Sequence, residues 1–122
     1  MIKANNNERT LKMALLLLNH KDKLEILYYL NTKKMRFGEI KNNLNTITQQ
    51  LLTKHLKQMI KDNLISRKQF SGFPRKVEYS LTPLGRSLKP LINQIVRWEK
   101  SNFKIINKII KKNKYDTLYD YY

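Results

Sequence analysis

Residues 77–81 read Val-Glu-Tyr-Ser-Leu, and this run restricts the fold more than any other. Val77, Tyr79 and Leu81 alternate with Glu78 and Ser80, the period-two pattern of a half-buried strand. Thr82-Pro83 follows at once: an N-cap residue, then the residue favoured at the first helical position. Upstream, residues 64–70 are compatible with a second strand, and Ser71-Gly72-Phe73-Pro74 is turn chemistry between the two. Elsewhere the apolar residues recur at helical spacing. The expected fold class is mainly α with a small β-hairpin.

The helices can be placed from their stripes and caps. Thr10 is a plausible N-cap for a first helix over 10–19, with Leu11, Ala14, Leu15 and Leu18 on one face. Leu16 and Leu17 widen that face beyond what a monomer core needs, which points to a partner surface. Asp22 can cap a second helix over 23–31, buried through Leu24, Leu27, Tyr28 and Leu30. Phe37, Ile40 and Leu44 fit a short third helix, and Asn45-Thr46 a turn. Thr48 then caps a longer helix over 49–63, apolar at Leu52, Leu56, Met59 and Ile60. A last helix begins at Thr82-Pro83 and carries Leu84, Leu88, Leu91, Ile92, Ile95 and Trp98, continuing through Phe103, Ile106 and Ile110. Pro90 lacks an amide hydrogen, so a kink or break is expected there. Two short helices, a tight turn and then a hairpin with a basic tip make a winged helix-turn-helix.

Charge indicates the partner. The 122 residues hold 25 Lys plus Arg against 9 Asp plus Glu, a formal net charge of +16. Such an excess repels itself and suits a polyanion, nucleic acid before an anionic membrane. Over 48–76 the cations Lys54, Lys57, Lys61, Arg67, Lys68, Arg75 and Lys76 face only Asp62. The absence of cysteine excludes a disulfide framework, a thiolate nucleophile and a Cys-based metal site in this sequence. Two histidines are too few for a multi-histidine centre, so His20 and His55 are expected to be structural or solvated, with His55 flanking the DNA backbone at most. No nucleophile–base set, phosphate-binding glycine loop or acid/base carboxylate pair is present. Glu39 and Glu78 stand apart. The chain is therefore read as no enzyme, with no cofactor and no metal. Residues 1–10 are polar and no apolar run reaches the roughly 18 residues of a spanning helix. Neither a signal peptide nor a membrane span is expected, and a cytoplasmic protein is the default.

Three runs carry a family likeness. Arg36-Phe37-Gly38-Glu39-Ile40, Ile47-Thr48-Gln49-Gln50-Leu51-Leu52-Thr53, and residues 77–88 from Val77 to Leu88 resemble HxlR-type transcriptional regulators. The likeness runs from about Leu11 to Trp98. It implies a homodimeric, bacterial-type winged-helix DNA-binding protein whose N- and C-terminal helices form the dimer. The chain departs from the family pattern in three places. Many relatives have Cys-Pro near the start of the first helix, and some sense redox state with that Cys; here Arg9-Thr10 stands there. Gly-Gly-Lys-Trp between the first two helices is replaced by Asn19-His20-Lys21-Asp22. The wing reads Pro74-Arg75-Lys76 in place of two prolines and a cation.

These readings assign sites. A helix in the major groove offers its N-terminal residues to base edges. Thr48, Gln49, Gln50, Thr53 and Lys54 are the expected base contacts, with glutamine suited to adenine N6 and N7. Arg36, Lys57, Arg75 and Lys76 are the expected phosphate and wing contacts, the last two near the minor groove. Leu11, Leu15, Leu18, Leu91, Ile95 and Trp98 are the expected dimer interface. Residues 1–114 would form the DNA-binding domain with its dimer helices, and 115–122, rich in tyrosine, a frayed tail. The expected function is a dimeric, sequence-specific regulator of double-stranded DNA on a pseudo-palindromic operator. Two alternatives stay open: a nonspecific nucleic-acid coat on the same fold, and a membrane-surface protein anchored by the lysines and isoleucines of 104–112. A small-molecule effector in the dimer interior also stays open.

Overall fold

Seven helices and one hairpin follow one another in the computed structural model, which describes residues 7–115. They are α1 (Asn7–Leu17), α2 (Lys21–Leu30), α3 (Phe37–Leu44), α4 (Gln49–Lys61), β1 (Ile65–Phe70), β2 (Lys76–Leu81), α5 (Pro83–Arg86), α6 (Lys89–Ser101) and α7 (Phe103–Lys112). The mostly helical winged helix-turn-helix read from the sequence is present. Of the expected tail, only Tyr115 is among the described residues.

The first two helix starts differ from expectation. Thr10 lies inside α1, which is already helical at Asn7. Asn7-Glu8-Arg9 contains no residue that stops a helix, so the turn extends past the candidate cap. In α2 the cap is His20 rather than Asp22: its backbone is extended and its Nδ1 accepts the Asp22 N–H at 3.1 Å. Asp22 sits in the first turn, where its charge meets the positive end of the helix.

α3 and α4 form as expected. The Glu39 carboxylate accepts the Arg36 N–H at 3.2 Å, which fixes the entry to α3. Asn45 takes a positive φ of 68° in the turn, a conformation asparagine tolerates better than most residues. Thr48 Oγ1 accepts the Leu51 N–H at 3.1 Å and starts α4.

β1 and β2 are antiparallel, with Ile65 opposite Leu81, Arg67 opposite Tyr79 and Phe70 opposite Lys76. One bridge was not foreseen. Met35, just before α3, exchanges both backbone hydrogen bonds with Tyr79, at 3.0 and 2.8 Å. The wing is thereby tied to the helix-turn-helix through backbone.

The expected last helix is three helices. α5 is a single turn, started by Thr82 Oγ1 accepting from Gly85 N–H at 3.0 Å. The chain then breaks, and Pro90 falls in the first turn of α6, where a missing N–H costs nothing. The second break, at Asn102, had no breaker residue to announce it. Asn102 Nδ2 donates to the Trp98 carbonyl at 2.9 Å, so the side chain competes for a backbone acceptor at the end of α6.

Ile26, Leu27, Ile40, Leu52, Leu56, Met59, Leu64 and Ile65 are almost wholly covered and form the centre of the core. Each such side chain contributes roughly 1.5–3 kcal/mol of transfer free energy. Gly85 seals one edge: a Cβ there would fall on the Leu64 carbonyl oxygen. That carbonyl also accepts the Thr82 N–H at 3.2 Å, so α5 docks backbone to backbone at the end of α4.

Candidate nucleic-acid interface

The cap at Thr48 decides what α4 presents. Leu52, Leu56 and Met59 are drawn inward. That rotation leaves Gln49 and Gln50 exposed on the first turn. Thr48, Gln49, Gln50 and Thr53 line one open depression at this end of the helix. The Thr53 hydroxyl donates to the Gln49 carbonyl at 2.8 Å. Its proton is committed there, which leaves its methyl group and oxygen for outside contacts. Lys54 is exposed but lines a different recess, with Asn19, His20, Lys23, His55 and Gln58. The structure thus groups four of the five expected base-contact residues and sets Lys54 to one side.

The cations divide likewise. Lys57 lines the groove between α4 and the hairpin, together with Thr53 and Arg67. Arg67 was not singled out from the sequence. The signal was its place in the cation run over 48–76, but only the fold, with Arg67 opposite Tyr79, places it beside Lys57. Arg36 is exposed at the start of α3. Arg75 is exposed in the wing turn, whereas Lys76 pairs with Glu78 at 3.3 Å and lies 5.1 Å from the Phe70 ring centroid. Phe73, read only as turn chemistry, is completely exposed at the wing tip.

Of the expected dimer residues, Leu11, Leu15, Leu91, Ile95 and Trp98 are exposed, Trp98 to 63%. Leu18 is not available in the same way: it packs against the chain's own core. Leu84 and Leu91 turn outward, while Ile92 is buried and Leu88 packs inward. The single stripe expected over 84–98 is therefore two faces.

His55 is structural rather than solvated. It is 6% exposed and its ring lies 4.5 Å from that of His20, centroid to centroid. Burial first, and the neighbouring His20 second, push its pKa below the ordinary histidine value. Burial also raises the Glu25 carboxyl, against the opposing pull of Lys21.

The arrangement of a capped α4 beside a two-stranded wing is matched by known proteins. A model of the HxlR-like helix-turn-helix family covers residues 17–107. The chain belongs to this family. It is 45% identical over 86 residues to YdzF, an HTH-type transcriptional regulator of Bacillus subtilis (strain 168), covering 70% of this chain and 79% of that one. Among solved structures it is similar to the redox regulator HypR in its reduced form, at 32% identity and a TM-score of 0.76, over 81% of this chain and 98% of that one. The reduced form of the transcriptional regulator YodB from B. subtilis is more distant, at 25% identity and a TM-score of 0.67, covering 81% and 92%. Membership of the HxlR-like family makes the protein a transcriptional regulator of the winged helix-turn-helix type. Its relatives are named as regulators and not as enzymes. No described helix is long and apolar enough to cross a membrane.

Proposed function

We propose that the protein is a homodimeric regulator that binds a specific pseudo-palindromic operator in double-stranded DNA, in the cytoplasm of a bacterial-type cell. The observation that carries this reading is the shared depression of Thr48, Gln49, Gln50 and Thr53 at the open end of α4. Its side chains are amide and hydroxyl groups, the chemistry that reads base edges, with no like charge among them. Gln49 and Gln50 take bidentate contacts to adenine. Lys57, Arg67, Arg36 and Arg75 take phosphates and set register, with Lys54 and Lys76 at the margins of that surface. The outward faces of α1 and α6 pair with those of a second copy, through Leu11, Leu15, Leu91, Ile95 and Trp98. Two-fold symmetry then sets the recognition helices about 34–36 Å apart, one turn of DNA.

The test is selection of a site from random duplex DNA, followed by titration against a scrambled duplex at the same salt. One inverted repeat bound far more tightly is the expected result. Equal affinities would leave the nonspecific coat, which the +16 charge by itself favours. Gln49→Ala combined with Gln50→Ala should remove about 1–3 kcal/mol of base discrimination per lost contact while binding to scrambled DNA changes little. Unaltered base preference in that variant would overturn the assignment of the reading residues.

A further inference from the structure

The recess beside Lys54 holds a second constellation that the DNA reading does not use. His20, at the cap of α2, Asp22, in its first turn, and His55, on the inner face of α4, each offer one donor atom, and these atoms lie within 4.8 Å of one another. Asp22 Oδ2 is 3.5 Å from His20 Nδ1 and 3.9 Å from His55 Nε2. Around a tetrahedral zinc ion with bonds of about 2.0–2.2 Å, ligand atoms are separated by roughly 3.3–3.6 Å. Of the three pairs, His20–Asp22 stands at coordination distance already, Asp22–His55 needs a shift of a few tenths of an ångström, and the two imidazole nitrogens, within 4.8 Å of each other, must approach by up to about 1.5 Å.

His55 supplies the second observation. Its Nε2 is buried and has no hydrogen-bond partner. A buried ring nitrogen left so is destabilising, and core positions on a helix do not ordinarily carry that cost. The recess lined by His20, His55, Lys23 and Gln58 opens directly on the cluster and leaves room for a fourth, exchangeable ligand.

We propose that His20, Asp22 and His55 form a binding site for a divalent transition-metal ion, zinc before others. Two imidazoles and one carboxylate are a donor set that suits zinc, cobalt and nickel and does not suit calcium or magnesium. The cations nearby weaken the site without occupying its donors. Lys21 Nζ is held by Asp22 Oδ1 at 3.0 Å and Lys23 Nζ by Asn19 at 2.8 Å. Their charge, with that of Lys54, opposes the binding of a cation. The lone pair of His20 Nδ1 that caps α2 is the one the metal takes, so binding exchanges a helix cap for a coordination bond. The ion would pin the start of α2 to α4. Its effect on operator affinity rests on the DNA reading above, but metal binding itself does not.

The experiment is titration of the purified full-length chain with Co²⁺ and then Zn²⁺. One Co²⁺ per chain should bind, with the visible absorption of a four-coordinate nitrogen–oxygen site, and Zn²⁺ should displace it. In wild-type protein the imidazole resonances of both histidines should shift together, a readout that needs no variant. His55→Gln should weaken Zn²⁺ binding roughly tenfold or more, as should His20→Gln, which lies at a half-exposed position. Absence of saturable binding, a bound ion that leaves either imidazole unshifted, or unchanged affinity in both variants would overturn the proposal. Binding of inorganic phosphate in the recess with no uptake of metal would also overturn it, in favour of an anion site built on the lysines. None of these results depends on whether DNA binding is sequence-specific.

Discussion

Leu52 and Leu56 of α4 are almost wholly covered, whereas Leu11, Leu15 and Leu16 of α1 lie open, Leu16 to 69%. The same residue type serves two purposes at two places. From α2 to α5 most apolar residues are consumed inside one chain, with Tyr28, Phe73 and Leu84 the large exposed exceptions among the described residues. In α1, α6 and α7 they are largely left over: α6 buries only Ile92 and α7 buries no residue, although Phe103, Ile105 and Ile109 lie on its surface. The difference separates a region that closes its own core from one that leaves apolar area exposed. That exposed area on the flanking helices is what the proposed dimer would cover.

The strongest way to break this comparison is to truncate one leucine of each kind. Leu56→Ala should cost about 2–5 kcal/mol in urea unfolding, because it opens a cavity among packed neighbours. Leu16→Ala should cost about 0.5 kcal/mol or less at concentrations where the chain is monomeric. Equal costs would mean that the two regions unfold as one and that stability is inseparable from assembly.

A second prediction sharpens the boundary of the complete unit. Gly85→Ala places a methyl group on the Leu64 carbonyl oxygen, and backbone cannot move aside as a side chain can. A loss at the upper end of the roughly 1–3 kcal/mol of overpacking is expected, measured by thermal or urea unfolding. A neutral substitution would show that α5 docks more loosely than the close approach implies.

The third acts on the other region. Ile95→Glu with Trp98→Glu charges an exposed face of α6 and should leave unfolding of the winged unit within about 0.5 kcal/mol of wild type. Sedimentation should show the association constant reduced by at least tenfold. An unchanged oligomer would remove α6 from the interface and leave α1 and α7 to account for it.

Much of this division was legible in the sequence, for local reasons. Thr48, Thr82-Pro83 and the alternation of Val77, Tyr79 and Leu81 act within a few residues, so each announces its element without knowledge of the fold. The surplus leucines of α1 were legible as surplus. What escaped was decided by competition or by distance. His20 stands as cap in place of Asp22 because its Nδ1 accepts the Asp22 N–H, which starts α2 two residues before the expected helix. Asn102 takes the Trp98 carbonyl at the end of α6, whereas Asn43 makes the same bond to Glu39 inside α3, so the residue type does not announce the break. The pairing of Met35 with Tyr79, of Arg67 with Lys57, and of His20 with His55 joins residues 10 to 44 positions apart. No spacing rule connects them, and it is through such pairs that the site differs from its expectation. Two histidines that looked unremarkable singly became a cluster only when α2 was laid against α4.

The smallest effect tests whether polar anchors matter within the complete unit. Glu39 holds the entry to α3, and its carboxyl lies below its ordinary value because the Arg36 backbone N–H, first, and Lys33, second, favour the charged form. The unfolded chain therefore binds this proton more readily than the native one. The contribution of Glu39 is fully present above the pKa of the unfolded chain and is lost as pH falls through the lower native value. Glu39→Gln should remove that part of the slope, so the difference in urea midpoint between wild type and variant should shrink as pH is lowered from about 6 to about 3. The group is exposed, so the change should be small beside that of Leu56→Ala. A difference that stays constant with pH would mean that the glutamate acts through its shape alone, and that packing rather than charge positions α3.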